Sequence, residues 1–173
     1  MGHASVRRLV VRTAAGTRTR GWLIAGPLAI PVALGRGGIL ANKREGDGGT
    51  PRGRFRLVRL WWRPDRGTRP RTSLPVRPIT RNDAWCEDPA DRHYNRPIKM
   101  SGGDHLWRDD HLYDLMIEID HNTRPRIAGR GSAVFIHVAR PEFAPTAGCV
   151  ALEKSLLRRL LGSLGPRTTV EIH

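Results

Sequence analysis

Glycine and proline punctuate this chain so often that only one stretch is free to form a helix of several turns. The sequence holds 19 glycines and 13 prolines among 173 residues, and they cut its apolar residues into runs of strand length. The exception lies near the C-terminus. There Leu156, Leu157, Leu160, Leu161 and Leu164 recur at helical spacing, with Lys154, Arg158 and Arg159 on the other face. Gly162 and Gly165-Pro166 stop that helix. The remainder reads as β. Val6, Leu9 and Val11 mark a first strand, and Gly21 to Ala25 and Ala29 to Leu34 a second and third around the Gly26-Pro27 turn. Phe55 to Trp61 predicts another strand, Leu112 to Asp120 a further one ending at a His121-Asn122 turn, and Thr168 to Ile172 the last. Ala133 to Val138 is an almost unbroken apolar run, which predicts a central strand buried on both faces. Arg63 to Gly103 is rich in proline and shows no period; Trp85 and Tyr94 are its expected anchors. The expected fold is mainly β with one clear helix.

A chain of this length suits one domain, residues 1–173, with a real core. The apolar stretch Leu23 to Leu34 is interrupted by Gly26, Pro27 and Pro31 and is too short to span a membrane as a helix. The first twenty residues carry scattered arginines and no apolar signal core. The expectation is therefore a cytoplasmic chain as written, or one whose export sequence lies outside it. A formal net charge of +14 favours polyanionic partners, namely nucleic acid, anionic lipid or an acidic wall polymer. The alternative is compositional, since a GC-rich coding sequence enriches arginine, glycine and proline alike. The arginines are dispersed, with no basic arm, zinc-finger spacing or RNA-recognition signature, so no specific nucleic acid is expected.

Candidate chemistry is sparse. The loop Gly46-Asp47-Gly48-Gly49-Thr50-Pro51-Arg52-Gly53 lacks the Gly-Lys-Ser/Thr ending of a phosphate-binding loop and precedes a strand, which excludes a nucleotide site. His105, Asp109, Asp110 and His111 lack zinc-type spacing, so no metal is expected. Trp61, Trp62, Trp85 and Trp107 suit either an aromatic surface for glycan or peptide or, more simply, anchors of the middle region. Two cysteines, Cys86 and Cys149, leave one disulfide or a lone reactive thiol open. His137 ends the apolar run and Cys149 follows 12 positions later, so a strand, a loop and a returning segment can set an imidazole beside a thiol. On spacing alone, Cys149 as a small buried hydrophobe beside Val150, Ala151 and Leu152 competes with that reading.

Two motifs shift the balance. Gly46-Asp47-Gly48-Gly49-Thr50-Pro51-Arg52-Gly53-Arg54-Phe55, and later His137 followed by Thr146-Ala147-Gly148-Cys149-Val150, resemble the L,D-transpeptidase (YkuD-type) catalytic domain in content and order. The resemblance implies a YkuD-like β-sandwich or mixed-sheet domain and acyl transfer on bacterial peptidoglycan stem peptides, both donor and acceptor. It implies Cys149 as nucleophile, His137 as base, the Val138 carbonyl orienting the ring, and the Gly148 and Cys149 amides as oxyanion donors. Thr146, Tyr113, Arg140 and Asn122 are the candidate substrate contacts; for Tyr113 and Asn122, as for His111 and Asp114 near the motif strands, a structural role at the strand edge is the simpler reading. No cofactor is implied, carbapenem-type inhibitors acylate the family's cysteine, and the chemistry points to the periplasm or cell envelope. Ala147 stands where many members have a second histidine, Ala151 where many have arginine, and the loop after His137 is shorter. These departures bear on donor position and acceptor. Two rivals remain: hydrolysis by the same site, as an L,D-carboxypeptidase, endopeptidase or amidase, or a basic, non-catalytic wall-binding module.

Overall fold

The computed structural model describes residues 5–99 and 102–173. Its first three strands, β1 (Arg8–Thr13), β2 (Arg20–Ala25) and β3 (Leu28–Ala33), form an antiparallel meander, as the turn residues between them require. Two short parallel pieces, β4 (Ile39–Leu40) and β5 (Thr50–Pro51), bracket the glycine-rich loop. The ten-residue β6 (Gly53–Trp62) follows. The middle region then supplies β7 (Val76–Pro78), β8 (Asp83–Trp85), β9 (Pro97–Lys99) and β10 (Asp104–His105). After these come β11 (Leu115–Ile119), β12 (Phe135–Val138), β13 (Val150–Leu152), the helix α1 (Lys154–Leu161) and β14 (Thr169–Ile172).

Most strands belong to one mixed sheet, ordered β11-β12-β13-β3-β2-β1-β14-β6-β7, and a further β6–β11 pairing closes it on itself as a barrel. The length of β6 makes closure possible. Its first half, Gly53 to Arg56, pairs with β14, and its second half, Leu57 to Trp62, pairs with β11 across a register shift at Glu118/Ile119. Such irregularities bend a sheet and let it close. The mainly β, mixed-sheet expectation with one helix holds, in a barrel-like form.

Alternation along the strands sorts the apolar residues into two clusters. One gathers Leu9, Val11, Leu23, Val32, Leu60, Ile117, Ile136, Val150, Leu152 and Val170, with Leu157, Leu160 and Leu161 of α1 packed into it. Each fully buried leucine of that helix contributes about 1.5–3 kcal/mol. Glu153 caps the helix by accepting from the Ser155 and Leu156 amides, and Leu164 stays buried beyond its last turn. The second cluster sits on the opposite face of β6, β11, β12 and β13: Trp61, Ile79, Trp85, Leu106, Tyr113, Met116, Phe135 and Cys149. The small β10-β8-β9 sheet of the middle region covers it.

One expectation changes in detail, and two alternatives the sequence leaves open resolve. The strand read over Leu112 to Asp120 begins only at Leu115, because Asp110 accepts the Leu112 amide and the Asp114 amide turns back to His111. Trp61 and Trp85 are buried packing residues, not a ligand surface, and the half-buried Trp107 has the Arg63 guanidinium 3.8 Å and that of Arg81 5.0 Å from its ring. Cys86 and Cys149 are both free and buried, so no disulfide joins them.

Candidate active site

The short loop after His137 carries the chain back so that β12 and β13 run parallel, with His137 beside Ala151 and Ile136 beside Val150. Because successive side chains alternate, Phe135 and His137 on β12 and Cys149 just before β13 face the same way, away from the barrel core. A cleft of about 660 Å³ opens over them. Cys149, His137, Tyr113, Arg140, Thr146 and Gly148 all line it, together with Lys43, Glu45, Glu87, Asp104, Arg108 and Arg36.

Why Gly148 must be glycine is visible in the backbone. Its φ is +143°, and a Cβ there would lie 2.8 Å from the Gly49 carbonyl oxygen. The cysteine turn thus rests directly on the glycine-rich loop. Thr50 of that loop accepts the Gly35 amide at 2.9 Å, and the Leu34-Gly35-Arg36 segment bonds to both backbone groups of Thr146. Both sequence motifs therefore meet in one packed knot. Asp47 holds the loop itself, accepting from Lys43 Nζ at 2.5 Å and from the Arg44 and Gly49 amides at 2.7 and 2.8 Å. Burial opposes its charge, but these bonds outweigh burial and keep its carboxyl below the usual value. Lys43 is 8% exposed, and its Cε approaches within 3.7 Å of where a Gly148 Cβ would stand. An ammonium is thereby packed under the cysteine turn.

The sulfur and the imidazole are both withdrawn from water. Cys149 Sγ donates to the Ala133 carbonyl at 3.2 Å and accepts from the Phe135 amide at 3.3 Å; among the described residues His137 is not one of its hydrogen-bond partners. Burial pushes the thiol pKa up to about 12, with Asp104 and Glu87 adding to the rise and the Phe135 amide and Lys43 opposing it. Burial likewise pulls His137 down to about 4, against the bond its ring makes to Val138. At neutral pH the pair therefore rests as thiol and neutral imidazole. His137 Nδ1 lies 2.8 Å from the Val138 carbonyl, which can only accept, so Nδ1 carries the proton and Nε2 presents the lone pair. Tyr113 walls the ring edge-on at 5.4 Å, its hydroxyl donating to Asp104.

Other sequence-derived candidates fall differently. Thr146 Oγ1 donates to the Cys149 carbonyl at 2.6 Å and accepts the Gly148 amide at 3.1 Å, so this side chain clasps the turn. The Gly148 amide is consequently already engaged, which leaves the Cys149 amide as the oxyanion candidate beside the sulfur. Asn122 does not line the cleft. Its Nδ2 donates to the Ile127 and Gly131 carbonyls and its Oδ1 accepts the Ile127 amide, closing the loop after β11. His111 and Asp114 sit with Arg66 and Lys154 in an ion cluster, the buried Asp114 carboxylate accepting from all three. Among the described residues no group of three or more His, Cys, Asp or Glu side chains is placed to hold a metal ion.

The chain matches the L,D-transpeptidase catalytic domain family (YkuD) over residues 7–172. It belongs to this family. Comparison with curated proteins and with solved structures yields no match. Where many members of this family carry arginine, Ala151 of this chain is fully buried between His137 and Ala33 on neighbouring strands. The cations of the cleft come instead from Arg36 and Arg140 at its rim and from Arg108 and the buried Lys43. The acidic residues Glu45, Glu87 and Asp104 were not apparent from the sequence, since Glu87 comes from the aperiodic middle region and Asp104 from its edge. Withdrawal from water, then the like charges of Asp104 and Glu45, push the Glu87 carboxyl up to about 7, although the residue as a whole remains exposed. Lys43 was the one signal within reach, lying four residues before Asp47 in the family motif. Among the described residues no helix is long and apolar enough to cross a membrane.

Proposed function

We propose that the protein is a peptidoglycan L,D-transpeptidase acting through a Cys149 thioester, with His137 as general base. The observation that carries this is the shared cleft of Cys149 and His137, with the Nδ1–Val138 bond leaving Nε2 as the only basic ring atom. As Sγ attacks the carbonyl carbon of a donor stem peptide, Nε2 takes the thiol proton and then delivers it to the departing amine. An acceptor-stem amine attacks the thioester carbonyl, gives its proton to Nε2, and the proton returns to sulfur as the new amide forms. The Cys149 amide and the nearby Lys43 ammonium support the negative charge that develops on oxygen. A cleft lined by both cations and carboxylates suits a peptide that carries both carboxylate and ammonium groups.

Incubation with purified muropeptides tests the proposal. Cross-linked dimers should appear with the parent protein and vanish with Cys149→Ala and with His137→Ala. Trimmed monomers without dimers would instead assign the site to hydrolysis. Dimer formation undiminished in Cys149→Ala would overturn the thioester route.

A further inference from the structure

Three large apolar side chains stand exposed among the described residues, and two of them, Trp22 at 43% and Leu28 at 46%, belong to the β2–β3 hairpin. Neither lines the cleft. Cross-strand register sets Trp22 between Arg12 of β1 and Pro31 of β3, and Ile24 between Val10 and Ala29. All of these lie on the face turned away from Leu9, Val11 and Leu23 in the core. Leu28 pairs with Ala25 and so has the parity of Ile30 and the core, but at the hairpin tip, just past the Gly26-Pro27 turn, it reaches beyond the core and stays exposed.

Charge on this face has essentially one sign. From Arg7 to Ala33 the sequence contains Arg7, Arg8, Arg12, Arg18 and Arg20, and no Asp or Glu. Arg8, Arg12, Arg18 and Arg20 are exposed. Next to β1, β14 leads to β6, whose Arg54 and Arg56 are also exposed and lie opposite Glu171 and Thr169. Glu171 is the one acid on these five strands, and Arg8 at 3.8 Å and Arg54 at 3.6 Å already share it. Exposed ion pairs of that length are weak, so the arginines keep an excess of positive charge.

An exposed indole and branched aliphatic groups flanked by guanidinium groups match the boundary of an anionic bilayer. There aromatic rings settle at headgroup depth and basic side chains meet lipid phosphates. A soluble polyanion would engage the arginines but has no use for Leu28 at the hairpin tip. We infer that the outer face of β1–β3, together with the tip of the β2–β3 hairpin, docks on an anionic lipid surface. This goes beyond the acyl-transfer reading and does not depend on it.

Co-sedimentation with phosphatidylcholine vesicles, with and without phosphatidylglycerol, tests the inference, with soluble polyphosphate as a second ligand. Binding should require phosphatidylglycerol and weaken about five-fold for each of Arg8→Ala and Arg12→Ala. Trp22→Ser and Leu28→Ser, which leave the charge unchanged, should also weaken vesicle binding while leaving polyphosphate binding intact. Each variant should keep the parent's melting temperature, since all four side chains are exposed, and Cys149→Ala should bind vesicles as the parent does. Equal binding to both vesicle types, or vesicle binding unchanged in both Trp22→Ser and Leu28→Ser, would overturn the inference; retention on polyphosphate alone would assign the face to a soluble polyanion instead. Arg20 is left unaltered in these tests because its guanidinium also holds the Glu142 carbonyl, at 2.8 Å, in the loop beside the cleft.

Discussion

Alkylation of Cys149 by iodoacetamide should be roughly a hundred-fold slower at pH 7 than that of an unhindered thiol. The buried thiol, with its pKa near 12, keeps its proton far above neutrality. Its thiolate fraction at pH 7 is of order 10⁻⁵, against a few per cent for a free cysteine of pKa about 8.5. That is a deficit of roughly three thousand-fold. A more basic thiolate is also more nucleophilic, and a Brønsted coefficient of about 0.4–0.5 recovers some thirty-fold. Burial adds steric hindrance in the same direction as the remaining deficit. The logarithm of the rate should climb with a slope near one from pH 7 to 10, with no plateau. His137→Ala should change it only a few-fold, because the imidazole is neutral and makes no hydrogen bond to the resting sulfur. Mass mapping of quenched samples separates Cys149 from Cys86. A plateau below pH 8, abolished by His137→Ala, would show a preformed thiolate–imidazolium pair and refute the reasoning.

Three further perturbations follow from the same contacts. Thr146→Val removes both hydrogen bonds of the clasp, at 2.6 and 3.1 Å, and should lower stability by about 2–4 kcal/mol. Thr146→Ser should restore most of it, so equal melting of the two variants would contradict the clasp. Gly148→Ala places a Cβ 2.8 Å from a backbone oxygen at φ +143°. It should cost roughly 1–3 kcal/mol in backbone strain alone, and dimer formation should fall with the melting temperature; a parent-like melt would refute this. Asp114→Ala should destabilise by about 3 kcal/mol, since the carboxylate is almost fully buried against Lys154, Arg66 and His111. Burial opposes the charge of Asp114, but those partners outweigh it and hold its carboxyl below the usual carboxylate range. Its contribution is thus complete above the unfolded value and lost as pH falls through the folded one. Urea titrations at pH 7 and pH 3 should show the difference between parent and variant shrinking with acid.

Much of the barrel could be read locally. The strands around Leu9, Leu23, Val32, Leu57, Ile117, Ile136 and Val170 announce themselves by alternation or by short apolar runs, and α1 by its leucine spacing. Closure could not be read. It depends on β6 pairing with β14 at one end and β11 at the other, which are long-range choices without local signature. The strands β8 and β10 are too short to carry a period, so Glu87, two residues past β8, and Asp104, in β10, reach the cleft unannounced. Cys149 and His137 were legible because a motif names them. The engagement of Gly148 by Thr146, and of Asn122 by its own loop, depends on hydrogen bonds that residue types alone do not specify.

The most direct measurement is the mass of the protein after brief exposure to a donor stem peptide or a carbapenem. The peptide containing Cys149 should gain one acyl group, and the gain should be absent in Cys149→Ala and strongly slowed in His137→Ala. An adduct confined to Cys86, or stem-peptide turnover that persists in Cys149→Ala, would contradict a cysteine thioester at this site.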